Sequence, residues 1–230
     1  MMLPAMIFAR AGSKRLPGKN LRMLGDLPLL AWSIRTAQSL KQVDRIIVST
    51  ESMEIAEIAR QYGAEIPFLR PQELARDETP EWLVWRHALE TLAASGYRPS
   101  CFLSLPPTAP LRAASDVQAC CELYMEKKPD GVIGITPAQR HPAFNMVIQQ
   151  ATGQLQLAQV PPAHIFRRQD APAMFDITTV AYVMSSAFTM TQTHLFAGQI
   201  HGVLIPRERA VDIDDEIDLK FAQFLLGGKK

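Results

Sequence analysis

The chain has 230 residues, of which 47% are hydrophobic and 20% charged, and its formal net charge is +1. This length suffices for one sizeable core, and the near-neutral charge leaves no overall field that would attract nucleic acid or an anionic membrane. Three cysteines without metal-type spacing favour reduced thiols in the cytoplasm. The opening stretch MMLPAMIFA is too short an apolar run for a signal peptide or a membrane span.

Short apolar runs alternate with amphipathic stretches along the chain. The pattern predicts strands at 5–9, 44–50, 64–69, 100–107, 131–136, 178–184 and 201–206. It predicts helices at 28–40, 52–63, 79–96, about 114–127 and 215–227, with Thr79 as the N-cap of the third helix, Pro80 at its first position and Gly96 at its end. Continuous apolar strands separated by helices indicate an α/β fold with a mainly parallel sheet covered on both faces.

Residues about 140–175 interrupt this alternation. The segment is rich in proline and glutamine and shows only weak two-residue periodicity. It predicts an inserted β-rich arm, a dimerisation element, within a single domain that spans residues 1–230.

The loop after the first predicted strand, RAGSKRLPGKN, concentrates positive charge. Its cations are Arg10, Lys14, Arg15 and Lys19. In an open α/β sheet this loop lies at the carboxyl edge, where ligands bind, and guanidinium and ammonium groups suit phosphate oxygens. A triphosphate is one interpretation and a solvated cationic loop is the other. The glycines at 12, 18 and 25 fit neither the dinucleotide pattern nor the kinase-type phosphate loop.

A second candidate site is the acidic stretch VDIDDEID at 211–218. If it is extended, Asp212 and Asp214 share one face while Ile213 points inward. Two carboxylates on one face suit Mg²⁺. Capping of the following helix is the alternative for Asp214, Asp215 and Glu216.

The ordered set of motifs resembles the sugar-activating cytidylyltransferases, in particular the CMP-sialic acid synthetases and their CMP-Kdo relatives. The set consists of ARAGSKRLPGKNLRMLGDLPLLAWSI, DRIIVST, LRPQELARDETP, PPTAPLR, RQDAPAMF and VDIDDEID, which together span positions 5 to 218. The resemblance implies a Rossmann-like sheet of the nucleotide-diphospho-sugar transferase type, a homodimer, and CTP, Mg²⁺ and an acidic sugar as ligands.

The resemblance also implies roles for individual residues. Arg10, Lys19 and Asp214 are the catalytic candidates, and Asp212 and Asp214 are the metal ligands. The nucleotide-binding candidates are Arg10, Ala11, Gly12, Ser13, Lys19, Asn20, Arg70 and Thr79. The alternatives are that Arg70 is a solvent-facing edge residue and that Thr79 caps the following helix. Arg168 matches an arginine that reaches the sugar carboxylate, with adjacent Arg167 leaving the register open by one residue, and Arg140 is a second candidate that surface charge explains equally well.

Three positions depart from the family pattern on the sugar and nucleotide side. Pro106 replaces a glutamine, DITT at 176–179 replaces RPNG, and Glu81 replaces a serine. We therefore expect that the phosphate-binding and metal-binding residues are kept while the acidic sugar differs, so that a legionaminate-, pseudaminate- or Kdo-like acceptor is as plausible as N-acetylneuraminate. Two alternatives are a nucleotidyltransferase of the same fold that acts on a neutral sugar phosphate or a cofactor precursor, and a nucleotide-binding module without turnover.

Overall fold

The computed structural model describes residues 2–160 and 167–228. Its strands are β1 (Leu3–Phe8), β2 (Met23–Leu24), β3 (Leu27–Pro28), β4 (Val43–Ser49), β5 (Cys101–Ser104), β6 (Gly131–Pro137), β7 (Val147–Gln149), β8 (Leu155–Leu157), β9 (Phe175–Ser185) and β10 (Ile200–Leu204). Its α-helices are α1 (Leu29–Gln38), α2 (Met53–Gln61), α3 (Glu81–Ala94), α4 (Ala114–Lys127), α5 (Ser186–Thr191) and α6 (Glu216–Gly227).

Six strands form the central sheet in the order β10-β6-β9-β5-β1-β4. All neighbouring pairs are parallel except those made by β9, which runs antiparallel between β5 and β6. The mainly parallel α/β sheet expected from the sequence is therefore confirmed. Because β9 runs the opposite way, its amino-terminal part reaches the same edge as the carboxyl ends of β5 and β6. The start of β9 therefore lies beside the loops that follow β5 and β6.

The central strands are apolar along their length because both faces of the sheet are covered. In β1, Ala5 and Ile7 belong to a core cluster that contains residues of α1, α2 and α4. Met6 points the other way, into a cluster with residues of α3 and α5. That second cluster contains Trp82 and Trp85, whose ring centroids lie 5.4 Å apart. Both tryptophans are core residues.

A third, smaller core joins the two ends of the chain beneath the carboxyl edge of the sheet. Leu16 from the cationic loop, Leu111 from the loop after β5, and Ile213 and Leu219 from the acidic stretch and α6 are buried together. Leu16 is 2% exposed and Ile213 is fully buried. This packing places the cationic loop beside the acidic stretch, although some 190 residues separate them in sequence.

Two predictions about local structure are wrong. No strand forms at 64–69 in the described structure, and only Glu65 makes an isolated bridge, to Ile47. Pro67 has no N–H to donate to a ladder, which disfavours a strand there. The helix predicted at 79–96 begins at Glu81 with Pro80 as N-cap, and the Thr79 hydroxyl instead donates to the Glu73 carbonyl at 3.1 Å.

The arm predicted at about 140–175 contains the hairpin of β7 and β8, which forms its own two-stranded sheet. All six residues of these two strands are exposed. Strand β9 begins at Phe175, three residues earlier than expected. Residues 161–166, which belong to the predicted arm, lie outside the described residues.

The cysteines and helices bear on the expected cellular location. Cys101, Cys120 and Cys121 are free and buried. Burial raises the pKa of the Cys101 thiol to about 11. Among residues 2–160 and 167–228, no helix is both long enough and apolar enough to cross a membrane. A cytoplasmic location stays a prediction.

Candidate active site

A cleft of about 320 Å³ opens at the carboxyl edge of the sheet. It lies between the loops that follow β1 and β5, the segment 70–81 that leads into α3, and the acidic stretch before α6. Most of the residues that the sequence singled out line it: Arg10, Gly12, Ser13, Lys19, Asn20, Arg70, Thr79, Asp212 and Asp214. Packing of the third core therefore brings the predicted phosphate-binding and metal-binding groups to one cavity.

Two cations of the loop after β1 converge on one carboxylate. The Arg10 Nη1 atom lies 2.5 Å from Asp77 Oδ1, and Lys14 Nζ lies 2.6 Å from Asp77 Oδ2. Hydrogen bonds from Lys14 and from Arg10 hold the pKa of Asp77 below its ordinary value. Asp77 thus occupies a position where two positive groups meet, and a phosphate group there would find the same two partners.

Lys19 connects the cationic loop to the acidic stretch. It follows Gly18, whose φ of 63° begins the short helical turn Lys19–Leu21. Its Nζ lies 2.9 Å from Asp214 Oδ1, and the lysine side chain is only 15% exposed. The neighbouring Asn20 is buried and donates its side-chain N–H to the Arg10 carbonyl at 2.8 Å. Asn20 therefore stabilises the loop conformation that presents Arg10 to the cleft.

Arg70 forms a buried ion pair that the sequence did not indicate. Its Nη2 lies 2.8 Å from Glu51 Oε2, with the two side chains 3% and 7% exposed. The other carboxylate oxygen of Glu51 accepts the backbone N–H of Ala11 at 2.7 Å. Glu51 thus ties Arg70 to the start of the cationic loop. The sequence signal that could have indicated Glu51 was its position two residues after the end of β4, at the carboxyl edge of the sheet.

The acidic pair has the alternation expected of an extended stretch. Val211 and Ile213 are buried, whereas Asp212 and Asp214 are open to the cleft. The surrounding protein raises the pKa of Asp212, an effect that hydrogen bonds with Thr108 and Thr179 oppose. The capping role falls to Asp215, whose carboxylate accepts the N–H groups of Ile217 and Asp218. Asp212 and Asp214 are therefore separate from the cap.

These two carboxylates fit a Mg²⁺ ion that is completed by substrate. Within the described ranges, no three or more His, Cys, Asp or Glu side chains form a group able to hold a metal. Mg²⁺ is commonly held by one or two carboxylates together with water and substrate phosphates. Asp212 and Asp214, on one face of the cleft and beside the cationic loop, are the donors that such an arrangement requires.

Glu81, one of the departures from the family pattern, also lines the cleft. Desolvation of the carboxylate by the surrounding protein raises the pKa of Glu81 to about 7, and the negative charge of Asp212 acts in the same direction. Its side chain remains accessible from the cleft. The first residue of α3 thus adds a carboxyl group to those of Asp77, Asp212 and Asp214 in the cavity.

The predicted sugar-binding arginines lie outside this cleft. Arg140 and Arg168 are exposed, and the Arg168 Nη2 atom donates to the Ala138 carbonyl at 2.9 Å. Arg167, the alternative in that register, pairs with Asp170 at 2.8 Å. Their role toward a sugar carboxylate stays a prediction.

His141, also in the arm, is 4% exposed and its Nδ1 accepts the N–H of Ala143. It is thus a structural histidine.

The fold and cleft together define an α/β nucleotidyltransferase. The chain superposes on CMP-2-keto-3-deoxy-manno-octonic acid synthetase in complex with CTP with a TM-score of 0.74, covering 100% of both chains at 12% identity. It also superposes on 4-diphosphocytidyl-2C-methyl-D-erythritol synthase of Anaerococcus prevotii with a TM-score of 0.62, covering 98% and 99% of the chains at 13% identity. At these identities the likeness concerns the fold.

Sequence similarity identifies the family. The cytidylyltransferase pattern matches residues 5–95. The post-translational flagellin modification protein B of Campylobacter coli is 32% identical and the CMP-N,N'-diacetyllegionaminic acid synthase of Campylobacter jejuni 33% identical, each over 97% of this chain and 94% of the relative. The N-acylneuraminate cytidylyltransferase of Escherichia coli is 28% identical over 95% of this chain and 50% of its own length. The chain belongs to the cytidylyltransferase family.

Proposed function

We propose that this enzyme transfers CMP from CTP to the anomeric hydroxyl of an acidic 2-keto-3-deoxy sugar, a sialic acid-like nonulosonic acid, and releases pyrophosphate. The observation that carries the proposal is the 2.9 Å contact between Lys19 and Asp214 in the cleft. It brings a phosphate-binding cation and a metal-binding carboxylate within reach of one triphosphate. The names of the relatives support CTP and an acidic sugar as the two substrates.

The proposed reaction is a direct displacement at the α-phosphorus. The sugar oxygen forms a bond to phosphorus, the bond from phosphorus to the pyrophosphate oxygen breaks, and the hydroxyl proton leaves to solvent or to a carboxylate in the cleft. Arg10 and Lys19 stabilise the negative charge that develops on pyrophosphate. The backbone at Gly12 and the hydroxyl of Ser13, both on the cleft wall, add hydrogen-bond donors. No protein nucleophile is required.

Asp212 and Asp214 are proposed to hold Mg²⁺. The ion would polarise the phosphate oxygens and lower the pKa of the attacking hydroxyl. Before it binds, Lys19 pairs with Asp214, and the hydroxyls of Thr108 and Thr179 act to lower the pKa of Asp212. The enzyme therefore presents one carboxylate that is paired with a cation and one that lies beside neutral hydroxyl groups.

A pyrophosphate-release assay with CTP and a panel of acceptors tests this function. The panel contains N-acetylneuraminate, a legionaminate, a pseudaminate, Kdo and a neutral sugar phosphate, with and without Mg²⁺. We expect release only with carboxylated acceptors, and legionaminate stands first because the 33% identical relative is named for it. Turnover with the neutral sugar phosphate alone would favour the second enzyme hypothesis, and no release with any acceptor would favour a non-catalytic module.

The arm is proposed to mediate a homodimer. The hairpin of β7 and β8 exposes 56% of Val147, 50% of Ile148 and 59% of Leu155. A two-stranded hairpin is at best marginally stable in water without further packing. A second copy of this chain would cover these side chains, and Arg168 would then lie near that interface. Light scattering measures the mass in solution, and a fully active monomer contradicts this proposal.

A further inference from the structure

Arg112 is a buried cation beneath the floor of the cleft. It follows the PPT segment after β5 and is 6% exposed. Among the described residues no carboxylate forms an ion pair with it, and its Nε has no hydrogen-bond partner. Burial lowers its pKa to about 9, and the nearby charge of Asp212 acts in the opposite direction. Burying a charge without an ion-pair partner opposes folding.

The hydrogen bonds of Arg112 join three separate parts of the chain. Nη1 donates to Ser33 Oγ on α1 at 2.8 Å. Nη2 donates to the Pro106 carbonyl in the loop after β5 and, at 3.3 Å, to the Thr179 carbonyl in β9. A planar guanidinium fixes the relative directions of its donors, whereas a lysine ammonium does not. Arg112 therefore sets the spacing between the loop after β5 and the start of β9.

These two segments are the ones that contact Asp212. The Oγ1 atoms of Thr108 and Thr179 lie 3.2 Å apart. Both hydroxyls line the cleft together with Asp212 and act to lower the pKa of its carboxyl group. In addition, the Thr108 carbonyl accepts the backbone N–H of Ile213 at 2.8 Å, which fixes the acidic stretch against the same loop. A shift of either segment would move Asp212.

We propose that Arg112 is a positioning residue that orients Asp212 for its metal ion, acting through the Pro106–Thr108 loop and Thr179. This inference rests on the proposed function, in which Asp212 is a metal ligand. Hydrogen-bond partners of metal ligands commonly change metal affinity or activity by about 10- to 100-fold when they are removed. Arg112 itself does not line the cleft. Its loss should therefore raise the Mg²⁺ concentration needed for half-maximal activity more than it changes the affinity for CTP.

The test compares the variants R112K, S33A, T108V and T179V. Mn²⁺ is titrated into each protein, without and with CTP, and the free ion is followed by electron paramagnetic resonance. Pyrophosphate release gives the half-saturating Mg²⁺ concentration and the KM for CTP at saturating Mg²⁺. We expect R112K, T108V and T179V to weaken Mn²⁺ binding and raise the Mg²⁺ constant by about tenfold or more. S33A should act in the same direction by a few-fold, and the KM for CTP should change less than twofold.

Two matched controls separate positioning from general destabilisation. T136V replaces a buried threonine whose Oγ1 has no partner among the described residues, and R209K replaces an arginine that makes two hydrogen bonds to Asp116. Neither residue lines the cleft, and both variants should keep the wild-type metal constant.

Unchanged metal constants in the combined T108V and T179V variant would overturn the proposal. If R112K does not fold, the S33A variant tests the proposal in its place. Wild-type Mn²⁺ and Mg²⁺ constants in S33A would then overturn the proposal as well. The Mn²⁺ titration does not depend on turnover, so a wild-type protein that binds the ion but releases no pyrophosphate would refute the proposed function and leave the positioning result intact.

Discussion

At the scale of single residues, the cleft is an arrangement of paired opposite charges. Arg10 and Lys14 share Asp77, Lys19 pairs with Asp214, and Arg70 pairs with Glu51. The first three cations are accessible from the cleft or from solvent, so substrate oxygens can replace their carboxylate partners. The Arg70–Glu51 pair is buried and holds the loop. When a triphosphate binds, these cations therefore exchange their contacts with carboxylates for contacts with phosphate oxygens.

Lys19→Ala should reduce kcat by a hundredfold or more. Removing a charged group that stabilises the leaving pyrophosphate costs about 3 kcal/mol in the transition state. The assay is pyrophosphate release at saturating CTP and acceptor. Arg15→Ala is the control, because Arg15 belongs to the same loop but lies exposed outside the cleft. Equal turnover in wild-type and Lys19→Ala enzymes would remove Lys19 from the mechanism.

Glu81→Gln should change how stability depends on pH. The pKa of Glu81 is raised to about 7 in the folded protein, so the folded state holds this proton more tightly than the unfolded chain. Its contribution is present below the ordinary glutamate pKa and is lost as the pH rises from there through about 7. Glutamine cannot ionise, so the Glu81→Gln protein does not lose stability at this position as the pH rises.

Thermal unfolding of metal-free protein at pH 5 and pH 8 measures this effect. The melting temperature of Glu81→Gln relative to wild type should be higher at pH 8 than at pH 5. Glu57→Gln, at an exposed site on α2, serves as control. A difference between Glu81→Gln and wild type that is the same at both pH values would contradict the raised pKa.

At the scale of elements, the four aspartates of the acidic stretch and α6 have two different roles, helix capping and metal binding as proposed. Asp215 and Asp218 form a capping box, in which each side chain accepts a backbone N–H at the start of the helix. Asp212 and Asp214 precede the cap and face the cleft. The sequence left capping and metal binding open for Asp214, and the helix start at Glu216 resolves this position: Asp214 lies outside the helix and pairs with Lys19.

Asp215→Ala should lower the free energy of unfolding by about 1 kcal/mol, the usual cost of losing an N-cap. Asp215→Asn should retain most of the stability, since its amide oxygen can still accept these N–H groups. Chemical denaturation measures both. We expect the half-saturating Mg²⁺ concentration to change little in Asp215→Asn, and a loss of metal response there would assign Asp215 to the metal site.

At the scale of the whole molecule, the arm and the start of β9 leave apolar side chains exposed. The arm displays Val147, Ile148 and Leu155, and Phe175 and Ile177 at the start of β9 are 47% and 50% exposed. The sugar-binding candidates Arg140 and Arg168 flank the same region. If two copies meet here, residues of the arm approach the partner in the dimer.

Ile148→Asp combined with Leu155→Asp should shift the protein from dimer to monomer. Two carboxylates in an apolar interface would have to be desolvated on association. Size-exclusion chromatography with light scattering measures the mass at micromolar concentration. Met53→Asp is the control, since Met53 is also 53% exposed but lies on α2. A dimer that survives the double substitution would place the interface elsewhere.

Much of the local structure was predictable because local patterns cause it. Helix α4 occupies the predicted 114–127, and β6 begins at the predicted Gly131. The failures have local causes too. The 64–69 segment contains Pro67, and Pro80 takes the N-cap position predicted for Thr79, so that the third helix begins at Glu81. The pairing of Arg70 with Glu51 and the burial of Arg112 carried no such signal, because their partners lie in other segments.

The sequence by itself determined the fold class, the cationic loop and the alternation that turns Asp212 and Asp214 outward. These follow from periodicity and charge within a few residues. Only the tertiary structure decided that Lys19 meets Asp214, that Glu51 fixes the loop at Ala11 and that Arg112 spans three segments beneath Asp212. Such contacts depend on which chain segments the sheet order and the third core bring together, and spacing along the chain does not encode that.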